Sequence, residues 1–431
     1  MPTRVLVLGA SPSRGHALRR LTHLIAAAWE QHGAQVQVVT APRPALRMPG
    51  HGPTGRALEG LALGAARLSR QVRTLGQDVD LVHVVDLLDA DCASAVFGRT
   101  PVVVTCHDMS GLAEAAAADR AHPLRRLRAR AALRGLERAD TLLATSRFTA
   151  DAVEEAVGRR PQVLHPPLDP ALAERCAPND PWSPPAWPYL MIVGGPEPHT
   201  RRDAAIHAWS HLRRTPHLDG ASLVVVGPAL TEPEEDLVTT CGGHVSVLTD
   251  VTDSHLAALY SRTRAVLALG RPRSFVWPIA EAHRAGKPVL ATDHPLYQEV
   301  GAAGCVYLPV EGITRFDRAT WASVAEDLSS PLVADRGGVN AERFAWHHFA
   351  EKLPAMVSGA SRQAGDERRP AVAERIIPIE NVIEKVVSSP LFTSPSDGYG
   401  MVLAGANPDG TRYLPPVLPE LDSPAAVPAG R

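Results

Sequence analysis

Lysine is nearly missing from this chain of 431 residues: among 44 basic residues only Lys287, Lys352 and Lys385 are lysines. Away from those three places, a fixed cation in a binding site has to be arginine, a planar fork of donors and not a point charge. Cysteine is sparse as well. Cys92, Cys106, Cys176, Cys241 and Cys305 are scattered, with no CxxC pair and no histidine at ligand spacing, which excludes a disulfide framework and a zinc-finger pattern and leaves reduced thiols as the expectation. Neither sign of charge is in excess: 44 basic against 46 acidic residues give a net charge of -2, so no global attraction to nucleic acid or to acidic surfaces is expected. No apolar run reaches 18 residues, and the N-terminus enters Val5 to Leu8 without a basic leader. A soluble cytoplasmic protein, at most peripheral at the inner face of a membrane, is expected.

What is present is ordinary globular material, 45% hydrophobic and 21% charged, enough for two or three domains of roughly 150 residues. Short β-branched runs alternate with longer Ala/Leu/Arg segments of helical period, the pattern of βαβ units and of a parallel sheet covered on both faces. One series of strands runs from Val5 to His165 and a second from Leu190 to Pro309. Between them lies a stretch from Pro178 to Pro188 so rich in proline that neither helix nor central strand can continue through it. The expected organisation is a Rossmann-like unit over 1–165, a Pro-rich linker over 166–188, a second Rossmann-like unit over 189–340, a closing helix over 341–360 and a Pro/Gly-rich tail over 361–431. In that tail only Ile376 to Val387 reads as helical. Packing on the parent domain is its more common meaning, and a protein partner for the tail is the alternative.

Two open parallel sheets facing each other place both sets of strand carboxyl ends, where ligands bind, around one cleft. The most informative segment is VTDSHLAALYSRTRAVLALGRPRSFVWPIAEAHRAGKPVLATDHPLYQEVGAAGCVYLP, over Val251 to Pro309. It reads as a helix capped near Asp253 or Ser254, a strand, a loop closed by Pro278, a helix carrying Glu281, and Ala-Gly-Lys-Pro-Val entering the next strand. Here the sequence resembles the GT-B glycosyltransferases, specifically the retaining family 4 type, over about residues 1 to 355. The upstream fragments GAQVQVVTA, DLVHVVD, VVVTCHD, ERADTLLATSRFTADAV and VLHPPLD, and the closing RFAWHHFAEKL, fall in that family's order.

The resemblance implies an α/β GT-B fold and transfer of a sugar from a nucleoside diphosphate sugar, with retention, to a glycolipid or polysaccharide-type acceptor. The donor is a substrate; no cofactor and no metal is implied. Glu281 matches the family glutamate that accepts hydrogen bonds from the ribose diol, a task suited to two carboxylate oxygens. Its structural alternative is a glutamate stabilised by the helix dipole. The family's other glutamate, eight positions earlier and followed by Gly-Phe-Gly, is replaced here by Arg273, Ser274, Phe275 and Val276. The acid has become a base, and Val276 restricts the backbone that glycine leaves open.

In the loop Val193-Gly194-Gly195-Pro196-Glu197-Pro198-His199-Thr200-Arg201-Arg202, His199 and Thr200 stand where the family has Arg and Lys for the donor diphosphate. Arg201, Arg202 and Arg273 are the candidate replacements, since arginine binds phosphate in a bidentate manner. A solvated arginine pair at a helix start is the alternative. His107, following a strand in VVVTCHD, takes the place of a family histidine set against the donor sugar, where an imidazole can donate to a sugar hydroxyl or steady the leaving phosphate. The alternative is a half-buried histidine bonded to Asp108 or to a carbonyl. After the first strand, Arg14, Gly15 and His16 form a candidate acceptor-side loop, and Ser146 caps a helix at a place typical of the family.

From Arg120 to Arg138 seven arginines interleave with leucines, a segment that suits either an anionic membrane carrying a lipid-linked acceptor or a solvated helix face. Three function classes follow. They are a glycosyltransferase, with Arg273 pointing to a uronate donor as one variant; a catalytically degenerate GT-B homologue that binds nucleotide or serves as a scaffold; and a nucleotide-sugar epimerase.

Overall fold

The computed structural model describes residues 3–10, 16–40, 65–110, 112, 123–168, 182–271, 273–309 and 311–366. Its frame is two six-stranded, wholly parallel sheets. The first contains β1 (Arg4–Gly9), β2 (Gln35–Thr40), β3 (Leu81–Val84), β4 (Val102–Cys106), β5 (Thr141–Ala144) and β6 (Gln162–Val163), in the order β2-β1-β3-β4-β5-β6. The second contains β7 (Tyr189–Val193), β8 (Ser222–Val226), β9 (Val245–Leu248), β10 (Ala265–Ala268), β11 (Val289–Thr292) and β12 (Cys305–Leu308), in the order β12-β11-β10-β7-β8-β9. Every residue of β3, β4, β5, β8 and β11 is buried, which is why, His83 and Ser222 apart, these strands read as apolar or β-branched runs and not as alternating ones. The α/β architecture expected from the sequence is thus realised twice. Each sheet has a switch point where the winding reverses, between β1 and β3 in the first and between β7 and β10 in the second.

The helices that matter for the site are α1 (His16–Gln31), α2 (Pro123–Arg138), α3 (Arg147–Val157), α4 (Arg202–Leu212), α5 (Glu232–Cys241), α6 (Asp253–Arg262), α7 (Trp277–Arg284) and α8 (Pro295–Gly301). The chain then passes through α9 (Arg318–Leu328) and α10 (Pro331–Ala341) to the long α11 (Trp346–Asp366). This last helix returns to the first unit: Phe349, Ala350, Leu353 and Val357 share an apolar cluster with Val5, Val7, Leu21 and Ile25. Trp346 Nε1 donates to Gln31 Oε1 at 2.7 Å. The closing helix therefore begins at Trp346, after a short 3-10 turn over Glu342–Phe344, and extends past Ser361, where the tail was expected to start. The segment Ile376 to Val387 lies outside the described residues.

Candidate active site at the interdomain cleft

α7 is set by Pro278 in its first turn and stopped by Gly286 in the left-handed region, at φ 66°. Trp277 and Glu281 stand four residues apart and so lie on the same helix face. Arg20, one turn into α1 of the first unit, reaches across to both. Its guanidinium carbon sits 4.3 Å above the Trp277 ring, and its Nη1 donates to Glu281 Oε1 at 2.5 Å. The second carboxylate oxygen accepts from the Tyr260 hydroxyl at 2.8 Å. Burial, and then the adjacent Glu281 charge, push the Tyr260 phenol far above its ordinary range, so it remains a proton donor. Tyr260 is delivered by α6, whose N-cap is Thr252, accepting from His255 N at 3.2 Å, in place of the expected Asp253 or Ser254.

A second carboxylate of the C-terminal unit also crosses to the first. Glu299, on α8, accepts from the backbone N–H groups of Arg147 and Phe148 at 2.6 and 3.2 Å, at the start of α3, and from His165 Nε2 at 2.8 Å. Burial alone would raise its pKa, but the His165 contact and the two N–H bonds outweigh burial and hold it below 4.5. Around these two polar contacts Leu24 and Phe148 of the first unit pack in one apolar cluster with Phe275, Trp277 and Leu296 of the second.

His107 follows β4 directly and is 4% exposed. Burial lowers its pKa to about 4, so the imidazole is neutral at physiological pH, and its Nδ1 has no hydrogen-bond partner among the described residues. Asp108 instead accepts from Ser110 N and Oγ, both at 2.7 Å. On the facing sheet, the loops after β7, β8 and β10 are pressed together at the switch point. Gly194 has φ 148° and Gly227 φ 149°, and a Cβ on Gly227 would stand 2.5 Å from the Gly194 carbonyl oxygen. The Arg271 N–H donates to His199 O at 2.7 Å, closing the loop that carries Gly194 against the end of β10.

The arginines expected at the donor phosphate have diverged. Arg202 is 1% exposed, with Nε donating to Glu234 Oε1 at 2.8 Å and its two terminal nitrogens donating to Pro228 O and Ala229 O at 3.0 Å. It also pairs with Glu234 Oε2, and its whole fork is engaged inside the unit, a correction to its assignment as a donor ligand. Arg201, the left-handed N-cap of α4, is paired with Asp203 at 2.9 Å. Arg273 is half-buried at the end of the β10 loop. Phe275 is a core side chain, edge-on to Trp277 and Phe344, and Val276 is the N-cap of α7.

On the acceptor side His16 opens α1 and is exposed, whereas Arg14 and Gly15 lie outside the described residues. Ser146 caps α3, accepting from Thr149 N at 3.0 Å. The basic helix α2 packs one face on residues 87–95, with Arg128 paired to Asp89 and Gly135 against Ala90, and Arg138 stacks on Phe97 at 4.8 Å. Arg120 is outside the described residues. Three contributors escaped the sequence reading: Arg20, Tyr260 and Glu299. The last two sit inside the quoted motifs LAALYSR and LYQEVG, but no local pattern marks what they touch.

Comparison with known families and structures fits this geometry. A profile described as Glycosyltransferase Family 4 matches residues 18–172, and one described as Glycosyl transferases group 1 matches residues 188–321. A search of curated sequences finds no significant match. Among solved structures, sucrose-phosphate synthase from Thermosynechococcus elongatus superposes with a TM-score of 0.61 at 17% identity, over 84% of this chain and 100% of that one. HepE from Anabaena in complex with UDP superposes with a TM-score of 0.58 at 19% identity, over 83% and 100%. The α,α-trehalose 6-phosphate synthase from Burkholderia multivorans gives 0.59 at 11% identity, over 86% and 100%. At these identities the superpositions establish the fold.

Proposed function

Because this chain is a GT-B glycosyltransferase, built from a family 4 unit followed by a group 1 unit, we propose that it moves a sugar from a nucleoside diphosphate sugar to a glycan or lipid-linked acceptor. The observation that carries this reading is Glu281: a buried carboxylate at the mouth of the second sheet, oriented by Tyr260, in front of the facing unit. Two oxygens fixed in this way match the two hydroxyls of a ribose. HepE is solved with UDP and with UDP-glucose, which makes uridine diphosphate sugars the first donors to try. We assign His107 to the sugar and leaving-group side, where a neutral imidazole donates to a hydroxyl or to the departing phosphate oxygen without bringing a charge of its own. Transfer with retention breaks the bond between the anomeric carbon and the diphosphate oxygen. It forms the new bond to the acceptor oxygen on the same face, and the acceptor proton leaves with the diphosphate. Support for a lipid-linked acceptor comes from α2, whose outward side exposes Arg134 and Leu127, the latter to 60%.

Isothermal titration of the protein with UDP, GDP, ADP and their sugar conjugates tests the donor site. One nucleotide is expected to bind at micromolar concentration and to lose binding in Glu281→Gln. Absence of heat with every nucleotide overturns the reading. Vesicles containing anionic lipid, compared with neutral ones in co-sedimentation, test the acceptor surface, and equal partitioning removes the lipid assignment.

A further inference from the structure

The arginine that serves the donor diphosphate, we infer, is Arg20 of the first unit, which changes partner when the donor binds: the guanidinium leaves Glu281 for the phosphates while the carboxylate takes the ribose diol. This rests on the donor site proposed above. Three observations converge on it. The Arg20–Glu281 pair is almost dry, with side-chain exposures of 10% and 3%, and the guanidinium is stacked on Trp277, so it is pre-placed and not a solvated surface charge. Two of the three arginines expected at the phosphates are otherwise engaged, Arg202 by Glu234 and two carbonyls and Arg201 by Asp203. Finally, Glu281 already has one oxygen on Arg20 and the other on Tyr260, so a ribose reaching this carboxylate competes with the guanidinium.

That competition decides which ligands the site accepts. A neutral nucleoside offers the carboxylate two hydroxyls but gives the displaced guanidinium no anion in exchange for the carboxylate it loses in a nearly dry place. A nucleoside diphosphate carries its own replacement, because the phosphates hang from the same ribose within reach of an arginine side chain, and phosphate suits the guanidinium fork as well as carboxylate does. The ion pair thus acts as a filter for the phosphorylated ligand and supplies the cation that Thr200 does not.

The test is a matrix of affinities: uridine against UDP, with the guanosine and adenosine pairs alongside, for the wild type, Arg20→Met and Arg20→Lys, all in the full chain. The expected signature is crossed. In Arg20→Met the diphosphate is expected to bind about tenfold or more weaker, whereas the nucleoside binds equally or more tightly, since its competitor for Glu281 is gone. Arg20→Lys is expected to fall between, keeping the charge and losing the fork. If both ligands shift by the same factor in Arg20→Met, leaving their ratio unchanged, Arg20 does not meet the phosphates and the inference fails while the donor site stands. Failure of the wild type to bind any nucleotide removes the donor site itself, and this inference with it. Should Arg20→Met not fold, as seen by circular dichroism, the ratio in Arg20→Lys decides: a reduced preference supports the inference and an unchanged one overturns it.

Discussion

Two carboxylates of the second unit reach the first, and they are held in opposite ways. Glu299 accepts from two backbone N–H groups and a histidine, whereas Glu281, among the described residues, accepts from the side chains of Arg20 and Tyr260. Backbone donors at a helix start cannot leave without unwinding the helix, but an arginine side chain can swing away by rotamer changes alone. The first contact is therefore a fixed joint and the second an exchangeable one, although charge, residue type and burial are nearly the same. In the proposed reading, what separates a structural ion contact from a ligand site is the mobility of the donors opposite the carboxylate.

The sharpest test of that contrast is Glu281→Ala, expected to cost the donor at least about a hundredfold in affinity by titration, the equivalent of two lost charge-assisted hydrogen bonds. Glu299→Ala is expected to do the reverse, lowering stability by about 2 kcal/mol in denaturant unfolding with donor affinity little altered. Equal effects of the two substitutions on binding would erase the distinction. Acid sharpens it further. Because the folded Glu299 carboxyl lies below its ordinary value of 4.5, its contribution is complete above that value and is lost as pH falls through the lowered one. The wild-type melting temperature should accordingly decline more steeply on acidification than that of Glu299→Gln. The smallest effect belongs to Arg201→Ala, expected to change stability by less than about 0.5 kcal/mol, since its pairing with Asp203 is largely in water. A loss of donor binding in that variant would return Arg201 to the phosphate site.

The twelve strands among the described residues lie where β-branched or apolar runs predict them, most plainly β3, β4, β5, β8 and β11, because a strand buried on both faces leaves a continuous signature that needs no partner to be read. Glu281 was legible through its motif. The residue that meets it was not: Arg20 is 261 positions away, next to Arg19 in a helix whose sequence does not mark which arginine meets the facing unit. Arg201 and Arg202 show the same limit at the shortest range. Arg201 is the left-handed N-cap and Arg202 the first helical residue, so one arginine pairs with Asp203 at the surface and the next enters the core, a division no pair of identical letters reveals. Phe275 was read at a donor-site motif position, yet the structure packs it among Trp277, Phe344 and His165.

The return of α11 to the first sheet changes how the halves of this protein are joined. The chain crosses between them twice, once before β7 and once before Trp346, so the units are strapped at two points. Covalent continuity then becomes dispensable: a single cut in the first crossing would leave Phe349, Leu353 and Val357 still seated against Val5 and Ile25, and the severed pieces would purify as one body.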